Sequence, residues 1–435
     1  MKDKLSLFHA FGIEAEYMIV RRDSLDVDPS ASFLLTDENK IIQNELTFEK
    51  TAWSNELASH LIEIKTNGPV NQLDEVESIF HKDVLRMNSL LKEKNLMLMP
   101  TAMHPWMDPN KEFVIWPHEN QEIYNAYDEI FNCKGHGWSN LQSVHINLGY
   151  SNEEEFESVH AAIRILLPLI PALAASSPIL ESRRSKYLDT RLFFYFNNQK
   201  KISEISGDII PEIIKNEEQY RSLILEPMYK AIASYDPNQI LQDEWLNSRG
   251  AIARFDRSAI EIRLMDIQEC PKADLSLVKV FIAFLQHLIE KCSMDKMNSI
   301  SNMELKELLD LSILHGSKTI INNPKIIQLL GYHQDSLPIL EVFRNLPNLK
   351  IGEAQYLNLI SKYGSLSERI LTHLKSQGFE NEIWDEKLDS SSKNMKNQDS
   401  FKRNLAIQEN NLQYLRKTYT QLCECLDKNE IFLPT

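Results

Sequence analysis

Four short stretches of the chain alternate apolar and polar residues, and each of them predicts a β-strand. Successive side chains of a strand point to opposite faces of the sheet, so residues two apart share a face. Each stretch therefore has one apolar face for a core and one polar face. The stretches are GIEAEY at residues 12–17, HLIEIKT at 60–66, SVHINLGY at 143–150 and AIEIRLMD at 259–266.

Apolar residues spaced three to four apart predict helices in the second half of the chain. DLSLVKVFIAFLQHLIEKC (274–292), NMELKELLDLSILHG (302–316) and SERILTHLKSQG (367–378) have this spacing, and the last two end at a glycine suited to a helix C-cap. AAIRILLPLIPALAASSP (161–178) is the most apolar stretch, but its length, arginine and prolines favour a buried, bent helix over a membrane span. The pattern is α+β, with the strands concentrated before about residue 270.

A polar segment rich in Ser, Asn and Lys interrupts the chain near its end. LDSSSKNMKNQDS (388–400) has no apolar periodicity and predicts a linker or long loop. Beyond it, apolar residues from Leu405 to Leu422 recur at helical spacing. The resulting division is a main, catalytic domain at 1–385, a linker at 386–400 and a C-terminal helix at 401–435 that packs back on the body.

The composition is that of an ordinary folded protein, and its charge argues against a nucleic-acid partner. Of the 435 residues, 43% are hydrophobic and 25% are charged. The 47 Lys and Arg against 62 Asp and Glu give a net charge of -15, with no basic stripe to offset it. The chain starts without an apolar run of signal-peptide length, and its five cysteines have no CxxC spacing. We expect a cytoplasmic protein with reduced thiols and no membrane partner; a homo-oligomer is compatible with this composition.

The polar faces of the four predicted strands are rich in carboxylates. An antiparallel sheet with one solvated face produces such alternation without any function, but that face normally mixes Lys, Thr and Ser with its acids. Carboxylates converging on one face repel one another unless a cation neutralises them. Oxygen ligands with a single imidazole suit Mg²⁺ or Mn²⁺ better than zinc or iron. The candidate ligands are Glu14, Glu16, Glu63, His145 and Glu261.

Glu56 is a conditional member of this set. It precedes Glu63 by seven residues, an odd spacing that would put the two on opposite faces of one continuous strand. Glu56 reaches the same face only if the chain turns near residues 58–60. His60 then flanks the strand and is not a ligand.

Arg263 adds a positive charge to the polar face, two residues after Glu261. A guanidinium beside metal-bound carboxylates suits a transferring phosphoryl group, although a simple Glu–Arg pair on a sheet surface would look the same in sequence. Unbroken alternation also places Met265 on this face. The sequence contains no GxxxxGK[ST] and no GxGxxG motif, so a nucleotide would be held by metal ions and arginines.

Five segments, taken in order, resemble the glutamate–cysteine ligase type 2 family of ATP-dependent carboxylate–amine ligases. They are GIEAEY, ELASHLIEIKT, SVHINLGY, ALAASSPILESRRSKYLDTRL and ARFDRSAIEIRLMD, and the resemblance runs from about residue 10 to about residue 290. It implies a fold similar to the catalytic domain of glutamine synthetase and to guanidino kinases. In that fold an antiparallel sheet curves into a saddle, helices cover its outer face, and ATP, metals and acceptor meet on the inner face.

The resemblance also implies roles for individual residues. It implies Mg²⁺ or Mn²⁺ as cofactor and ATP as co-substrate. His145 would lie by a metal ion or the nucleotide phosphates, and Arg263 and Arg191 would be the catalytic cations at the phosphoryl group and the substrate carboxylate. The metal ligands would be Glu14, Glu16, Glu63 and Glu261, with Glu56 joining them. Candidate substrate-side residues that flank the strands are His104, Trp106, Asn140 and Gln142.

Two positions depart from the family pattern. The first motif usually carries three acidic residues as GxEEEF, and its middle position is Ala15 in this chain. On strand geometry that position faces the apolar side, so no ligand is lost. Lys186 follows Ser185 where the family commonly has Gly in a TG pair. The shape of the acceptor pocket, and with it the identity of the substrates, is therefore open.

The reaction implied by the resemblance is ligation of the γ-carboxylate of L-glutamate to the amine of L-cysteine. It would proceed through an acyl phosphate and give γ-glutamylcysteine, ADP and phosphate, the first step towards glutathione. Three alternatives stay open at this point: a ligase for another acid or amine, a guanidino phosphotransferase and a catalytically silent binding protein. In each case the partners would be small molecules.

Overall fold

The structure is a computed structural model that describes residues 5–347, 349–380, 383–384 and 398–435, with side chains of the last range described from residue 410 onward. The strands within these ranges are β1 Phe11–Arg21, β2 Glu45–Thr47, β3 Thr51–Asn55, β4 Leu61–Thr66, β5 Leu96–Met99, β6 Ser143–Gly149, β7 Ile179–Leu180, β8 Arg183–Ser185, β9 Ala251–Arg254, β10 Ala259–Asp266, β11 Ile320–Ile321, β12 Leu337–Pro338 and β13 Ile383–Trp384.

Helices follow the strands through the chain and dominate after β10. They are α1 Ala31–Leu34, α2 Leu73–Leu91, α3 Pro109–Glu112, α4 Gln121–Phe131, α5 His136–Ser139, α6 Glu153–Leu166, α7 Ile170–Ala174, α8 Thr190–Tyr195, α9 Glu217–Tyr220, α10 Glu226–Ile232, α11 Pro271–Lys291, α12 Met294–Asn298, α13 Asn302–His315, α14 Pro324–Leu329, α15 Glu341–Arg344, α16 Ile351–Tyr363, α17 Leu366–Gln377 and α18 Gln398–Lys428.

One large antiparallel sheet organises the fold. Its strand order is β2-β3-β4-β1-β6-β10-β9, and β5 pairs with the C-terminal part of β1. The four strands predicted from alternation are therefore the four adjacent strands β4, β1, β6 and β10. The mixed α and β architecture with a large antiparallel sheet is confirmed, whereas the saddle curvature stays a prediction.

The apolar face of these four strands packs into the main hydrophobic core. That core also contains residues of α2, α6 and α11, and α11 lies against both of the other helices. Burying a side chain of this size is worth about 1.5–3 kcal/mol, so the alternation pins one face of the sheet to the helices. The opposite face is left for polar groups. The buried apolar residues include Ile13, Ala15, Tyr17, Ile62, Ile64, Val144, Ile146, Leu148, Ile260 and Ile262.

A β-bulge in β10 overturns the expected position of Met265. The register with β6 shifts between Ile262 and Met265, so that Met265 lies opposite Val144 and is buried in the main core. An extra residue reverses the parity of the side chains that follow it. Asp266 consequently lies opposite Ser143, on the edge of the polar face.

The predicted helices are present with small shifts at their ends. The stretches at 274–292, 302–316 and 367–378 correspond to α11, α13 and α17, and the last two are followed by Gly316 and Gly378, which have positive φ values of 55° and 95°.

The most apolar stretch of the chain forms the bent, buried helix that its prolines predict. It comprises the end of α6, a 3₁₀ turn at Leu167–Leu169 and α7. The whole segment Glu153–Ala174 is long and apolar enough to cross a membrane, but 89% of its most apolar window is buried inside the fold. It is thus a core element of this structure.

Helix α18 lies against α2, α17 and β5. Its residues Leu415, Tyr419 and Leu422 join a second hydrophobic cluster with Met18 and Met99. The helix begins at Gln398, inside the predicted linker, and the rest of that linker, 386–397, lies outside the described residues. The division of the chain into domains stays a prediction.

His160 on α6 should make stability fall in mild acid. Its side chain is 3% exposed, both ring nitrogens have no hydrogen-bond partner among the described residues, and burial lowers its pKa to about 3. Below pH 6.5 His160 binds a proton in the unfolded chain but stays neutral in the folded protein. The free energy of unfolding therefore falls as the pH drops towards 3. At about 1.36 kcal/mol per pH unit, the loss at pH 5 is about 2 kcal/mol.

Urea unfolding of wild type and His160→Gln at pH 7 and pH 5 measures this contribution. The variant should lose about 2 kcal/mol less than wild type over this interval. His333→Gln, at an exposed position, is the matched control and should follow wild type. Parallel pH profiles for wild type and His160→Gln would contradict the assignment.

Candidate functional site

The register of β4, β1 and β6 brings the acidic residues of the polar face side by side. Glu16 on β1 lies directly opposite Glu63 on β4. Glu14 lies opposite Lys65 on one side and opposite His145 of β6 on the other. Directly opposed side chains on one face of a sheet have their Cβ atoms about 4.5–5.5 Å apart. The predicted convergence of carboxylates thus follows from strand pairing alone.

Two trios of potential metal ligands lie on this face. Glu14, Glu63 and His145 form one, and Glu16, Glu56 and Glu63 form the other; within each trio the ligand atoms lie within 4.8 Å of one another. Glu63 belongs to both. Carboxylate oxygens and one imidazole fit a hard divalent cation such as Mg²⁺ or Mn²⁺.

Glu56 joins the second trio because the chain turns between β3 and β4, which is the condition predicted from the sequence. Strand β3 ends at Asn55, and β4 begins at Leu61 and pairs with β3 in antiparallel register. Glu56 therefore stands at the start of the connecting turn. His60 is fully buried at its end and is in neither trio.

Hydrogen bonds between neighbouring residues orient the groups of the site. The imidazole of His145 has Nδ1 3.0 Å from Glu14 Oε2 and Nε2 2.9 Å from the Ser143 hydroxyl. The Ser143 backbone N–H donates to Glu16 Oε2 at 2.7 Å. Such contacts fix the rotamers of potential ligands, as outer hydrogen bonds do in metal sites.

Two neighbouring side chains complete this scaffold, and the sequence analysis did not single them out. Asn147 Nδ2 donates to Glu14 Oε1 at 3.1 Å, and Ser54 Oγ donates to Glu63 Oε1 at 2.6 Å. The sequence could have identified Asn147, because alternation places it on the same polar face as His145. Ser54 is identified only by the β3–β4 register, which places it opposite Glu63.

Burial and crowding perturb the pKa values of the cluster in opposite directions. Burial, together with the charge of Glu14, raises the pKa of Glu63 to about 7, and burial beside Glu16 and Glu63 raises that of Glu56 well above its usual range. Burial alone would raise the pKa of Glu14 and lower that of His145. The hydrogen bond between the two outweighs burial, so the pKa of Glu14 falls to about 2 and that of His145 rises to about 9. The cluster thus contains the Glu14–His145 ion pair, a contact of 3.4 Å between Lys65 Nζ and Glu63 Oε1, and carboxylates whose raised pKa values favour the protonated form.

Glu261 lies between two arginines. Arg263 Nε is 3.2 Å from its Oε1, and Arg254 Nη1 is 3.2 Å from its Oε2. Although Glu261 Oε1 is 3.9 Å from His145 Nδ1, Glu261 belongs to neither trio. The geometry brings this predicted ligand to the edge of the cluster and adds Arg254, which sequence reasoning missed although it lies within the quoted ARFDRSAIEIRLMD motif.

Arg191 is buried at the other side of the site and held by Asp266. Its Nε is 2.5 Å from Asp266 Oδ1, and its Nη2 donates to the backbone oxygen of Arg263 at 3.3 Å. The second oxygen of Asp266 accepts from Ser176 N at 2.9 Å and from the Ser177 hydroxyl at 3.1 Å. Asp266 was not predicted, because only the bulge in β10 directs it to this side.

A cavity of about 150 Å³ opens over the second trio. Its polar side includes Glu16, Glu56, His145, Arg191 and Arg263, and its apolar side includes Leu57, Leu61, Trp138 and Leu141. Carboxylates, two guanidinium groups and an apolar wall therefore meet around one small space.

The four candidate substrate-side residues do not line this cavity. His104 uses both ring nitrogens, with Nε2 2.7 Å from Leu25 O and Nδ1 accepting from the Met107 N–H at 3.0 Å. Asn140 bonds to the backbone of His104 through both side-chain atoms. Trp106 donates to Asp26 and packs edge-on against Tyr419. Gln142 is fully buried next to the β6 strand.

The profile of the glutamate-cysteine ligase family 2 matches residues 10–392, most of the chain. The chain belongs to this family. It is therefore an ATP-dependent ligase that forms amide bonds, and the resemblance inferred from its motifs is confirmed. The match extends past the stretch from about 10 to about 290 on which those motifs rest.

Two relatives and one solved structure are similar to this member of the family. An uncharacterized protein of Archaeoglobus fulgidus is 36% identical over 329 residues, which cover 70% of this chain and 88% of the relative. A Bradyrhizobium diazoefficiens protein provisionally named glutamate–cysteine ligase 2 is 25% identical over 222 residues, which cover 49% of this chain and 45% of the relative.

The solved structure is the glutamate–cysteine ligase of Francisella tularensis in complex with AMP. It is 12% identical, with a TM-score of 0.54, and the alignment covers 97% of this chain and 90% of that one. At this identity the likeness concerns the fold, which the two proteins share across almost their whole length.

Glu63 should be more important than Glu56 for cation binding, because it belongs to both trios. We expect Glu63→Gln to weaken Mn²⁺ binding at both sites, whereas Glu56→Gln should leave the site of Glu14, Glu63 and His145 intact. Titration calorimetry with Mn²⁺ in the absence of nucleotide counts the sites and their affinities.

The exposed Glu93→Gln variant controls for the loss of one negative charge and should bind Mn²⁺ as wild type does. Equal losses in Glu63→Gln and Glu56→Gln, or wild-type binding in both, would contradict the shared-ligand arrangement.

Proposed function

We propose that this protein ligates the γ-carboxylate of L-glutamate to the amino group of L-cysteine at the expense of ATP. The observation that carries the proposal is a cavity of about 150 Å³ that Arg191 and Arg263 line together with members of both trios, namely Glu16, Glu56 and His145. Membership of the glutamate-cysteine ligase family 2 supports the choice of substrates.

The reaction has two steps that share one site. A carboxylate oxygen of the acid attacks the γ-phosphorus of ATP, and the bond from that phosphorus to the bridging oxygen breaks, giving an acyl phosphate and ADP. The nitrogen of the amine then attacks the acyl carbon, phosphate leaves, and the amine loses a proton as the amide forms. Both steps concentrate negative charge on phosphate oxygens, so the site must supply positive charge.

Lys65 Nζ lies 3.4 Å from Glu63 Oε1, and the other ligand atoms of the carboxylate trios suit a divalent cation. Burial and the neighbouring carboxylates raise the pKa values of Glu56 and Glu63, and a cation bound beside them would lower both values. Residues that would hold Mg²⁺ are Glu14, Glu63 and His145 in one trio and Glu16, Glu56 and Glu63 in the other. Bound there, the ion would neutralise phosphate oxygens and align the reacting groups.

Arg263 and Arg191 are preorganised to stabilise the charge that develops during phosphoryl transfer. Arg263 is fixed by Glu261 and by a hydrogen bond of its Nη1 to Asn247 O at 3.4 Å. Arg191 is fixed by Asp266. Donors held in place before the reaction stabilise the transition state without a cost of reorientation. Arg254, on the far side of Glu261, would keep that carboxylate aligned with Arg263.

Use of ATP is supported by the structural relative, whose solved form contains AMP. In this chain the nucleotide phosphates would lie over the polar face, within reach of the trios and of Arg263. This placement agrees with the absence of the two glycine-rich phosphate-binding motifs from the sequence.

The second candidate is a ligase of the same chemistry with another amine or acid. The apolar wall of the cavity, formed by Leu57, Leu61, Trp138 and Leu141, suits the small thiol side chain of cysteine and equally other small apolar groups. The guanidino phosphotransferase is less well supported because it forms no amide. A silent binding protein would keep several buried carboxylates without a reaction that needs a cation there.

Release of ADP from ATP in the presence of Mg²⁺ tests the proposal when L-glutamate and L-cysteine are supplied singly and together. Turnover should require both amino acids and yield γ-glutamylcysteine, identified by mass spectrometry. Arg263→Gln should lower kcat by about 10²- to 10³-fold, as expected when one preorganised donor is lost. Glu93→Gln is the control variant for normal turnover.

The possible products separate the candidates. Turnover with glutamate and a different amine would replace cysteine while preserving the ligase chemistry. A phosphorylated guanidine without any amide would overturn the ligase assignment. Unchanged turnover in Arg263→Gln would remove this residue from the mechanism.

A further inference from the structure

A second cavity, of about 770 Å³, lies away from the carboxylate cluster. It is formed by the C-terminal half of α11 together with α12, α14 and α15, and it shares no lining residue with the cavity at the trios. Its volume falls in the range of about 300–1,000 Å³ that is typical of small-molecule sites. None of the chemistry proposed above uses it.

The charge around this cavity is opposite in sign to that of the protein. Lys291, Lys296 and Lys325 line it together with His287, and no Asp or Glu is among the lining residues. The chain as a whole carries a net charge of -15. Lysines of one sign around a concave surface with low-dielectric walls concentrate anions there. The cavity is therefore a local cationic site in an acidic protein.

The lysines differ in how far they are already neutralised. Lys325 Nζ lies 3.0 Å from a carboxylate oxygen of Glu304. Among the described residues, no carboxylate oxygen lies within 4.0 Å of the Nζ atom of Lys291 or Lys296. Two ammonium groups are thus available to an acidic ligand, and the imidazole of His287 lines the cavity beside them.

The floor of the cavity is apolar and belongs to the main core. Phe284, Leu288 and Ile300 line it as residues of that core, and the partly buried Leu329 and Tyr332 add apolar surface beside them. A ligand without an apolar part would leave this surface exposed to water. An apolar group that covers it would contribute about 25 cal/mol of binding free energy for each Å² removed from water. The site therefore favours a molecule with both properties.

We propose that this cavity binds a small amphipathic anion. Its apolar body, of the size of one or two fused rings, lies on the floor formed by Phe284 and Leu288. Its carboxylate, phosphate or sulfonate group lies between Lys291 and Lys296. The proposal is independent of the ligase reaction, because it uses none of the residues assigned to that reaction.

Two fluorescent probes with the same apolar body test both halves of the proposal. 1-Anilinonaphthalene-8-sulfonate carries an anionic group, and N-phenyl-1-naphthylamine lacks it. Titration calorimetry and fluorescence on the full chain should give one site per molecule for the sulfonate. We expect its affinity to fall when salt rises from 0.05 to 0.5 M, because exposed ammonium groups are screened.

Lys291→Glu with Lys296→Glu should weaken binding of the sulfonate probe at least about tenfold, and should change binding of the neutral probe far less. Lys82→Glu with Lys375→Glu makes the same change of charge at exposed positions elsewhere and should bind like wild type. Ile300→Trp, which fills the floor, should weaken both probes. Unchanged sulfonate binding in the Lys291 and Lys296 variant, or equal losses in both double variants, would overturn the proposal.

Discussion

Repulsion between buried carboxylates is the constraint on which the rest of this structure depends. Glu16 and Glu63 are buried, Glu14 and Glu56 are half-buried, and all four lie within one small region where desolvation makes their shared negative charge costly. His145 and Lys65 compensate part of that charge, and the hydroxyl groups of Ser143 and Ser54 donate hydrogen bonds to Glu16 and Glu63. The arrangement persists because the opposite face of the same strands is packed into the main core.

The two faces of the sheet are therefore energetically linked. Each strand that carries a carboxylate also buries isoleucine, valine or leucine beneath α2, α6 and α11. A slip of one residue in any register would bring the carboxylates into the core and expose the apolar set. The core thus fixes the positions of groups that would move apart if they were free. Among the strand pairings of the described residues, the register shifts at the bulge in β10, and Asp266 consequently lies within reach of Arg191.

Much of this arrangement could be predicted from sequence, because alternation is a local property. The four central strands, the shared face of Glu14, Glu16, Glu63 and His145, and the dependence of Glu56 on a turn all follow from a period of two. Ser54 and Arg254 could not be found in that way, since their partners are set by strand register. Met265 and Asp266 were missed because a bulge leaves no mark in the alternation. His104 and Asn140 were singled out as polar residues near strands. In the structure both are buried, and the Asn140 side chain forms hydrogen bonds with the backbone of His104.

The position of Glu63 in both trios has a thermodynamic consequence of its own. If each trio takes a divalent ion, the two ions are bridged by one carboxylate and repel each other at short range. Occupancy of one site then lowers the affinity of the other, and by reciprocity the effect has the same size in both directions. The negative charge of a polyphosphate chain bound beside both sites would reduce this repulsion. Loading of the second ion and capture of the nucleotide would therefore be one cooperative event, and the apparent affinity for ATP would rise steeply with the concentration of the free cation.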